Sequence, residues 1–133
     1  MNVLFVCIGN QGRSVMAERL FRELVAGRHE ARSAGSRPGD ATHPVVLEVL
    51  DEIGIDATDH VPAKLDKERV HWADVVVATC DDACPYIPGK RYVSWQLPDP
   101  KDRSLEDVRR IRDEIAELTR ELSAGLESEA NAT

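Results

Sequence analysis

Two stretches of this chain, Val3-Leu4-Phe5-Val6 and Val75-Val76-Val77-Ala78, are apolar at every position and rich in β-branched residues. A strand with one face in water alternates apolar and polar side chains, so an unbroken run marks a strand buried on both faces, as in a parallel sheet covered by helices. The segments between carry the complementary pattern. "RSVMAERLFRELVAG", from Arg13, sets Val15, Met16, Leu20, Leu24 and Val25 at helical spacing, with Gly27 suited to a C-terminal stop. "HEARSAG" predicts a short second strand ending at Gly35, and "SRPGDATHP" a loop. "PVVLEVLDEIG" predicts a helix with Pro44 in its first turn and Val45, Val46, Val49, Leu50 and Ile53 as apolar positions. "LDKERVHWA" predicts a short helix and "KRYVSWQL" a strand around Arg91 to Ser94. The longest helix pattern is "SLEDVRRIRDEIAELTRELSAGL", with Leu105, Val108, Ile111, Ile115, Leu118 and Leu122 on one stripe and a capping-box-like start at Ser104 and Asp107. Strands alternating with helices imply an α/β fold: a parallel sheet, right-handed crossovers and helices on both faces. The 133 residues make one catalytic domain over residues 1–125, with residues 126–133 expected to fray.

Charge and composition remove several classes. A net charge of −7 argues against a nucleic-acid binder, whose affinity comes from clustered Lys and Arg. No apolar run approaches the roughly 18 to 20 residues of a membrane span, and "MNVLF" enters a strand pattern without the regions of a secretory signal. The expectation is a cytoplasmic monomer with no membrane contact. The three cysteines, Cys7, Cys80 and Cys84, are an odd number that fits no secreted disulfide framework, which leaves catalysis or redox chemistry.

In doubly wound sheets ligands bind beyond the carboxyl ends of the strands, and there the first strand ends on Cys7. Five residues, Ile8, Gly9, Asn10, Gln11 and Gly12, separate it from Arg13, which opens a helix. A loop of this length can wrap its N–H groups around a tetrahedral oxyanion while the helix end adds partial positive charge and Arg13 grips two oxygens in a planar fork. The same field favours a nucleophilic thiolate, to which Ser14 can donate a hydrogen bond. A leaving oxygen needs a proton, and Asp99, held between Pro98 and Pro100, is the candidate acid, with Asp102 as fallback. Cys80 follows a strand end, and four residues on, in "TCDDACP", comes Cys84; in a helical turn the two share one face at about 5 to 6 Å between Cβ atoms. C-x3-C is not a zinc-knuckle spacing, so no metal is assigned. The four histidines, His29, His43, His60 and His71, are scattered singly and suit surface or capping roles.

"VLFVCIGNQGRSVMAERLF", "SAG" at Ser33 to Gly35, "LEVLDEIGID" and "PDP" at Pro98 to Pro100 together closely resemble the low-molecular-weight protein tyrosine phosphatase superfamily, which includes the thioredoxin-coupled arsenate reductases. The resemblance runs from about Asn2 to Leu122. It implies a four-stranded parallel sheet with flanking helices in a Rossmann-like three-layer sandwich, with Cys7 as nucleophile, Arg13 as oxyanion binder and Asp99 as acid. The loop Ile8 to Ser14 would hold the oxyanion, with Asn10 bracing it and, as in some reductases, helping to bind a potassium ion.

Cys80 and Cys84 separate the superfamily's two chemistries. A phosphatase needs one cysteine, because water attacks a Cys-phosphate intermediate, whereas a reductase must supply two electrons. The resemblance to the reductases implies a relay: Cys7 attacks arsenate, Cys80 attacks Cys7, Cys84 attacks Cys80, and the resulting disulfide is reduced by thioredoxin or a similar dithiol protein. No bound cofactor is implied, and phosphate and sulfate are competing oxyanions. The chain departs from the reductases in having Gln11-Gly12 where they typically have Ser-Cys, and in a shorter Cys80 to Cys84 spacing, which opens the reductant to glutathione or mycothiol. It departs from the tyrosine phosphatases in following Asp99-Pro100 with "KDR" rather than tyrosines. The reading is an arsenate reductase; a phosphatase on the same fold and a noncatalytic oxyanion or redox sensor are the alternatives.

Overall fold

The structure, a computed structural model, describes residues 1–80 and 89–131, with side chains through Ser128. The elements follow the sequence pattern closely: β1 (Asn2–Cys7), α1 (Arg13–Val25), β2 (Glu30–Gly35), α2 (Pro44–Asp51), α3 (Lys67–Trp72), β3 (Val75–Ala78), β4 (Arg91–Ser94) and α4 (Leu105–Asn131). All strand pairs are parallel and the order is β2-β1-β3-β4. The register places Cys7 beside Gly35 and Val6 beside Ala78, so the carboxyl ends of β1, β2 and β3 finish at one edge. This is the expected four-stranded α/β architecture.

Period-two alternation divides each buried strand between two cores. Val3, Phe5, Val75 and Val77 join the side chains of α1, α2 and α4, where Phe5 stacks near Phe21 and Trp95 at ring centroid distances of 5.6 and 5.9 Å. Leu4, Val6, Val76 and Ala78 face the other way, against Leu65 and the α3 residues Val70 and Trp72. With both faces covered, β1 and β3 have no polar positions to offer water, which is why their sequences lack alternation.

Two expectations are corrected by packing. Leu24 and Ile53 are 37% and 47% exposed; both line a surface groove with Leu20, Ile55 and Ala116, while Phe21 takes a core position on α1. Ile53 falls beyond the end of α2, where the chain turns back through Gly54 at a φ of +81°. The expected fraying from residue 126 is set against two contacts. Helix α4 continues to Asn131 because Leu126 follows Leu122 on the same stripe and is fully buried, and because Glu127 accepts hydrogen bonds from Arg28 (3.0 Å) and His29 (3.2 Å). The capping contact at the other end is present, with Asp107 N–H donating to Ser104 Oγ at 3.1 Å. Among the described residues no helix is long and apolar enough to cross a membrane. Leu126→Ala is expected to lower stability by about 2–5 kcal/mol, the range for emptying a buried leucine site, measured by urea unfolding; a loss under about 0.5 kcal/mol would return Leu126 to a frayed end.

Candidate active site

The loop after β1 is shaped by what its carbonyls do. Cys7 O accepts from Ser36 N, Ile8 O from Arg37 N, Gly9 O from Gly39 N, Gln11 O from His43 N and Gly12 O from Met16 N, at 2.8 to 3.2 Å. Asn10 O accepts from His60 Nε2 at 3.1 Å. Six successive carbonyls are thus drawn outward. In a trans peptide the C=O and the following N–H point in opposite directions, so the N–H edge of the loop turns inward, over Cys7. That geometry requires close backbone approach from β2: a Cβ on Gly35 would lie 2.4 Å from Ile8 O and 2.9 Å from Asn10 N.

Asn10 holds the tightest bend, with φ at +53°, a left-handed conformation costly for a residue with a side chain. Its side chain is buried and doubly used: Oδ1 accepts from Ala63 N at 2.9 Å and Nδ2 donates to Ser14 Oγ at 2.8 Å. Because Ser14 Oγ receives that hydrogen, its own is available to Cys7 Sγ, 2.9 Å away, and Asn10 N–H donates to the same sulfur at 3.1 Å. Two donors therefore converge on the free thiol of Cys7, a residue only 3% exposed at the base of a pocket.

The pocket, about 240 Å³, is lined by Cys7, Ile8, Gly9, Gln11, Gly12 and Arg13 from the loop and by Asp99 from the opposite side. Arg13 is nearly buried; its Nη1 donates to Leu97 O at 3.0 Å and its Nη2 lies 3.9 Å from Asp99 Oδ2. Asp99 is more than half exposed and its Oδ1 accepts Lys101 N–H at 2.9 Å. Asp102 does not line the pocket, so Asp99 is the carboxylate that faces Cys7 and Arg13. Gly12 has a local reason: a Cβ there would stand 2.7 Å from Pro100 Cγ, so glycine lets the Pro98-Asp99-Pro100 loop seat against the oxyanion loop.

Three further lining residues, Arg37, His43 and Lys101, lie outside the set the sequence points to. Arg37 and His43 belong to the "SRPGDATHP" connector, which the hydrogen bonds to Ile8 and Gln11 make part of the pocket wall. His43 stands at the start of α2 without a side-chain cap bond, and His60 serves Asn10; neither is a plain surface or capping histidine. Proximity in the chain to Pro44 and Asp99 was their only signal. Cys80 is fully buried and disulfide-bonded, two residues past the end of β3. Cys84 lies outside the described residues.

The surroundings of Asn10 do not fit a potassium ion. Both side-chain groups of Asn10 already have partners, and the pocket beside it, which includes His60 and Ala63, is lined by Arg19, Arg22, Arg32 and Arg69 against only Glu18 and Asp59. Arg19 and Arg22, 3.1 and 3.3 Å from Glu18 Oε2, already hold the place beside that carboxylate that a cation would need. For the oxyanion loop itself, Gly35→Ala is expected to weaken inorganic phosphate binding by about tenfold or more, because the added methyl meets backbone rather than a movable side chain. Calorimetric titration with phosphate checks this, and unchanged affinity would show that the loop can shift at no cost.

The sequence profile described as "Low molecular weight phosphotyrosine protein phosphatase" matches residues 2–132. Arsenate reductase 2 of Staphylococcus saprophyticus is 34% identical over 119 residues, covering 86% of this chain and 90% of that protein. A thioredoxin-dependent arsenate reductase of Corynebacterium glutamicum superposes with a TM-score of 0.80 at 36% identity over 96% of this chain, which spans 62% of that longer one. An arsenate reductase solved in its phosphate-binding state gives a TM-score of 0.86 at 30% identity, covering 93% and 97% of the two chains. Profile, identity and superposition agree with the Cys7-to-Arg13 loop on one conclusion: the chain belongs to the low molecular weight phosphotyrosine protein phosphatase family.

Proposed function

We propose that the protein is an arsenate reductase that works through Cys7, Cys80 and Cys84 and is recycled by thioredoxin or a similar dithiol protein. The observation that carries this reading is that a second cysteine, Cys80, comes just after β3, the strand paired with the one that ends on Cys7. Val6 pairs with Ala78, so Cys80 follows the end of the strand next to Cys7, and neighbouring strands are about 4.8 Å apart. Cα atoms joined by a disulfide stand roughly 4.4 to 6.8 Å apart, a separation of the same order as the spacing of those two strands. Hydrolysis of a phosphate ester has no use for that second thiol. The names of the similar reductases support the same choice.

In this reading arsenate sits in the loop Ile8 to Ser14, with its charge held by inward N–H groups and Arg13. The Cys7 thiolate forms a bond to arsenic, and a hydroxyl group of the arsenate leaves as water after taking a proton from Asp99. Cys80 then attacks Cys7 Sγ; the sulfur–arsenic bond breaks, its electron pair stays on arsenic, and arsenite departs as the Cys7–Cys80 disulfide forms. Cys84 attacks Cys80, which frees Cys7 and leaves a Cys80–Cys84 disulfide. A dithiol reductant restores both thiols by exchange. All reacting groups come from one chain, so a monomer suffices, and the chemistry belongs in a reducing compartment such as the cytoplasm.

The pocket mouth supports a small inorganic substrate over a phosphotyrosine. Among the described residues no Phe, Tyr or Trp lines it, and Arg37 and Lys101 carry no ion-pair partner. Exchanging both for alanine is expected to raise KM for arsenate by about tenfold and flatten its dependence on ionic strength, with kcat within about twofold.

NADPH consumption with arsenate, thioredoxin and thioredoxin reductase, run beside hydrolysis of an aryl phosphate, separates the two family chemistries. Cys7→Ser abolishes both. Cys84→Ser stops multiple turnover while allowing one arsenite per protein, and leaves any phosphatase activity unchanged. Full turnover by Cys84→Ser would rule out the relay. Aryl phosphate hydrolysis without arsenate reduction would make the protein a phosphatase acting through a Cys7-phosphate.

A further inference from the structure

The failure of the Asn10 surroundings to fit a potassium ion raises the question of what neutralises Glu18. This residue is on α1, its side chain is 5% exposed, and Oε1 accepts a hydrogen bond from Ser33 Oγ at 2.7 Å. Oε2 makes no hydrogen bond, but it stands 3.1 Å from Arg19 Nε and 3.3 Å from Arg22 Nη2. A carboxylate so far from water needs a positive charge beside it or takes up a proton. Arg19, 13% exposed, is the better buried of the two.

Arg19 also reaches further than Glu18. Its Nη1 donates to Asp59 Oδ1 at 2.9 Å, and this hydrogen bond, with the guanidinium charge, holds the Asp59 carboxyl below the usual carboxylate range. Asp59 sits next to His60 and four residues before Ala63, the two donors that fix Asn10 O and Asn10 Oδ1. One guanidinium therefore ties the helix that begins at the oxyanion loop to the segment that braces the loop's left-handed residue. A cation bound between Glu18 and that segment would make the same link.

We infer that Arg19 is a built-in counter-cation: it bridges Glu18 to Asp59, positions Asn10 through His60 and Ala63, and makes oxyanion binding independent of potassium. Arg19 touches neither Cys7 nor the pocket that holds the oxyanion, so it is a positioning residue. The inference concerns the binding of an oxyanion alone and stands whether the protein reduces arsenate or hydrolyses esters.

The test is calorimetric titration of the reduced, full-length protein with inorganic phosphate in potassium, sodium and tetramethylammonium chloride at equal ionic strength. The parent is expected to bind equally in all three. Arg19→Met, which keeps the stem and removes the charge, is expected to bind phosphate about fivefold or more weakly, and Arg19→Lys to stay within about twofold of the parent. Tighter binding by the parent in potassium alone would overturn the inference, and so would parental affinity in Arg19→Met. If Arg19→Met does not fold, Asp59→Ala carries the same question, since Asp59 is 73% exposed and its loss cuts the link without stripping Glu18 of its partner. Phosphate affinity in Asp59→Ala is expected to fall about twofold or more, and an unchanged value would overturn the link. Because phosphate binding needs no electrons, a protein that passes these titrations yet fails to reduce arsenate refutes the proposed reaction and leaves the role of Arg19 intact.

Discussion

The outward pull on six consecutive carbonyls, from Cys7 to Gly12, is the constraint on which the site depends. Left to itself, a loop containing two glycines samples many conformations, and its N–H groups would spend their time on water. Here the partners are fixed in space by β2, by the residues after it and by the first turn of α1, so each outward C=O commits the next N–H to the interior. The one strained residue is Asn10, whose left-handed backbone costs on the order of 1–3 kcal/mol. Three of its hydrogen bonds, to Ala63 N, Ser14 Oγ and His60 Nε2, each contribute about 1 kcal/mol, which offsets the strain. An oxyanion therefore meets a cradle already formed and does not have to order it.

The sheet decides what else can reach that cradle. Parallel strands end together, and the order β2-β1-β3-β4 puts β1 in the interior with a neighbour on each side. β2 contributes Gly35, whose missing side chain lets the loop approach, while β3 leads to Cys80. The two cysteines are far apart in sequence but follow neighbouring strands, β1 and β3. Neither the loop nor the long helix α4 could arrange this; a shared strand edge does.

How much of this was legible in the sequence follows from how local each feature is. Uninterrupted runs such as Val3 to Val6 declare double-sided burial by themselves, and the Cys7-to-Arg13 loop declares itself through residue types at short spacing. Pro44, Ser104 and Gly35 mark boundaries through backbone chemistry that neighbours do not change. What stayed hidden depends on partners distant in sequence. Arg37, His43 and Lys101 enter the pocket because connectors fold against the loop, and Leu126 is buried because α1 lies alongside α4. Leu24 and Ile53 show the converse, apolar residues at helical spacing that border a groove. Periodicity predicts which side of a helix is apolar, but not how far along its length a neighbour covers it.

Charge shows the same contrast between whole-chain and local properties. A net charge of −7 predicts repulsion of anions, yet Arg13, Arg37 and Lys101 face the pocket against Asp99 alone among the described residues. Exposed charges beyond a Debye length of about 8 Å are screened, so the cluster governs what an arriving oxyanion feels. Within it, the Arg13–Asp99 pair is held loosely, at 3.9 Å with Asp99 more than half exposed. Such an exposed pair contributes about 0–1 kcal/mol, whereas a charge-assisted hydrogen bond to an oxyanion contributes about 1.5–3 kcal/mol. The oxyanion therefore takes Arg13 from Asp99. A tight, two-pronged Arg13–Asp99 bridge would occupy the guanidinium and keep the carboxylate ionised; the loose one is compatible with the proposed reaction, in which Arg13 would hold the oxyanion and Asp99 would give a proton.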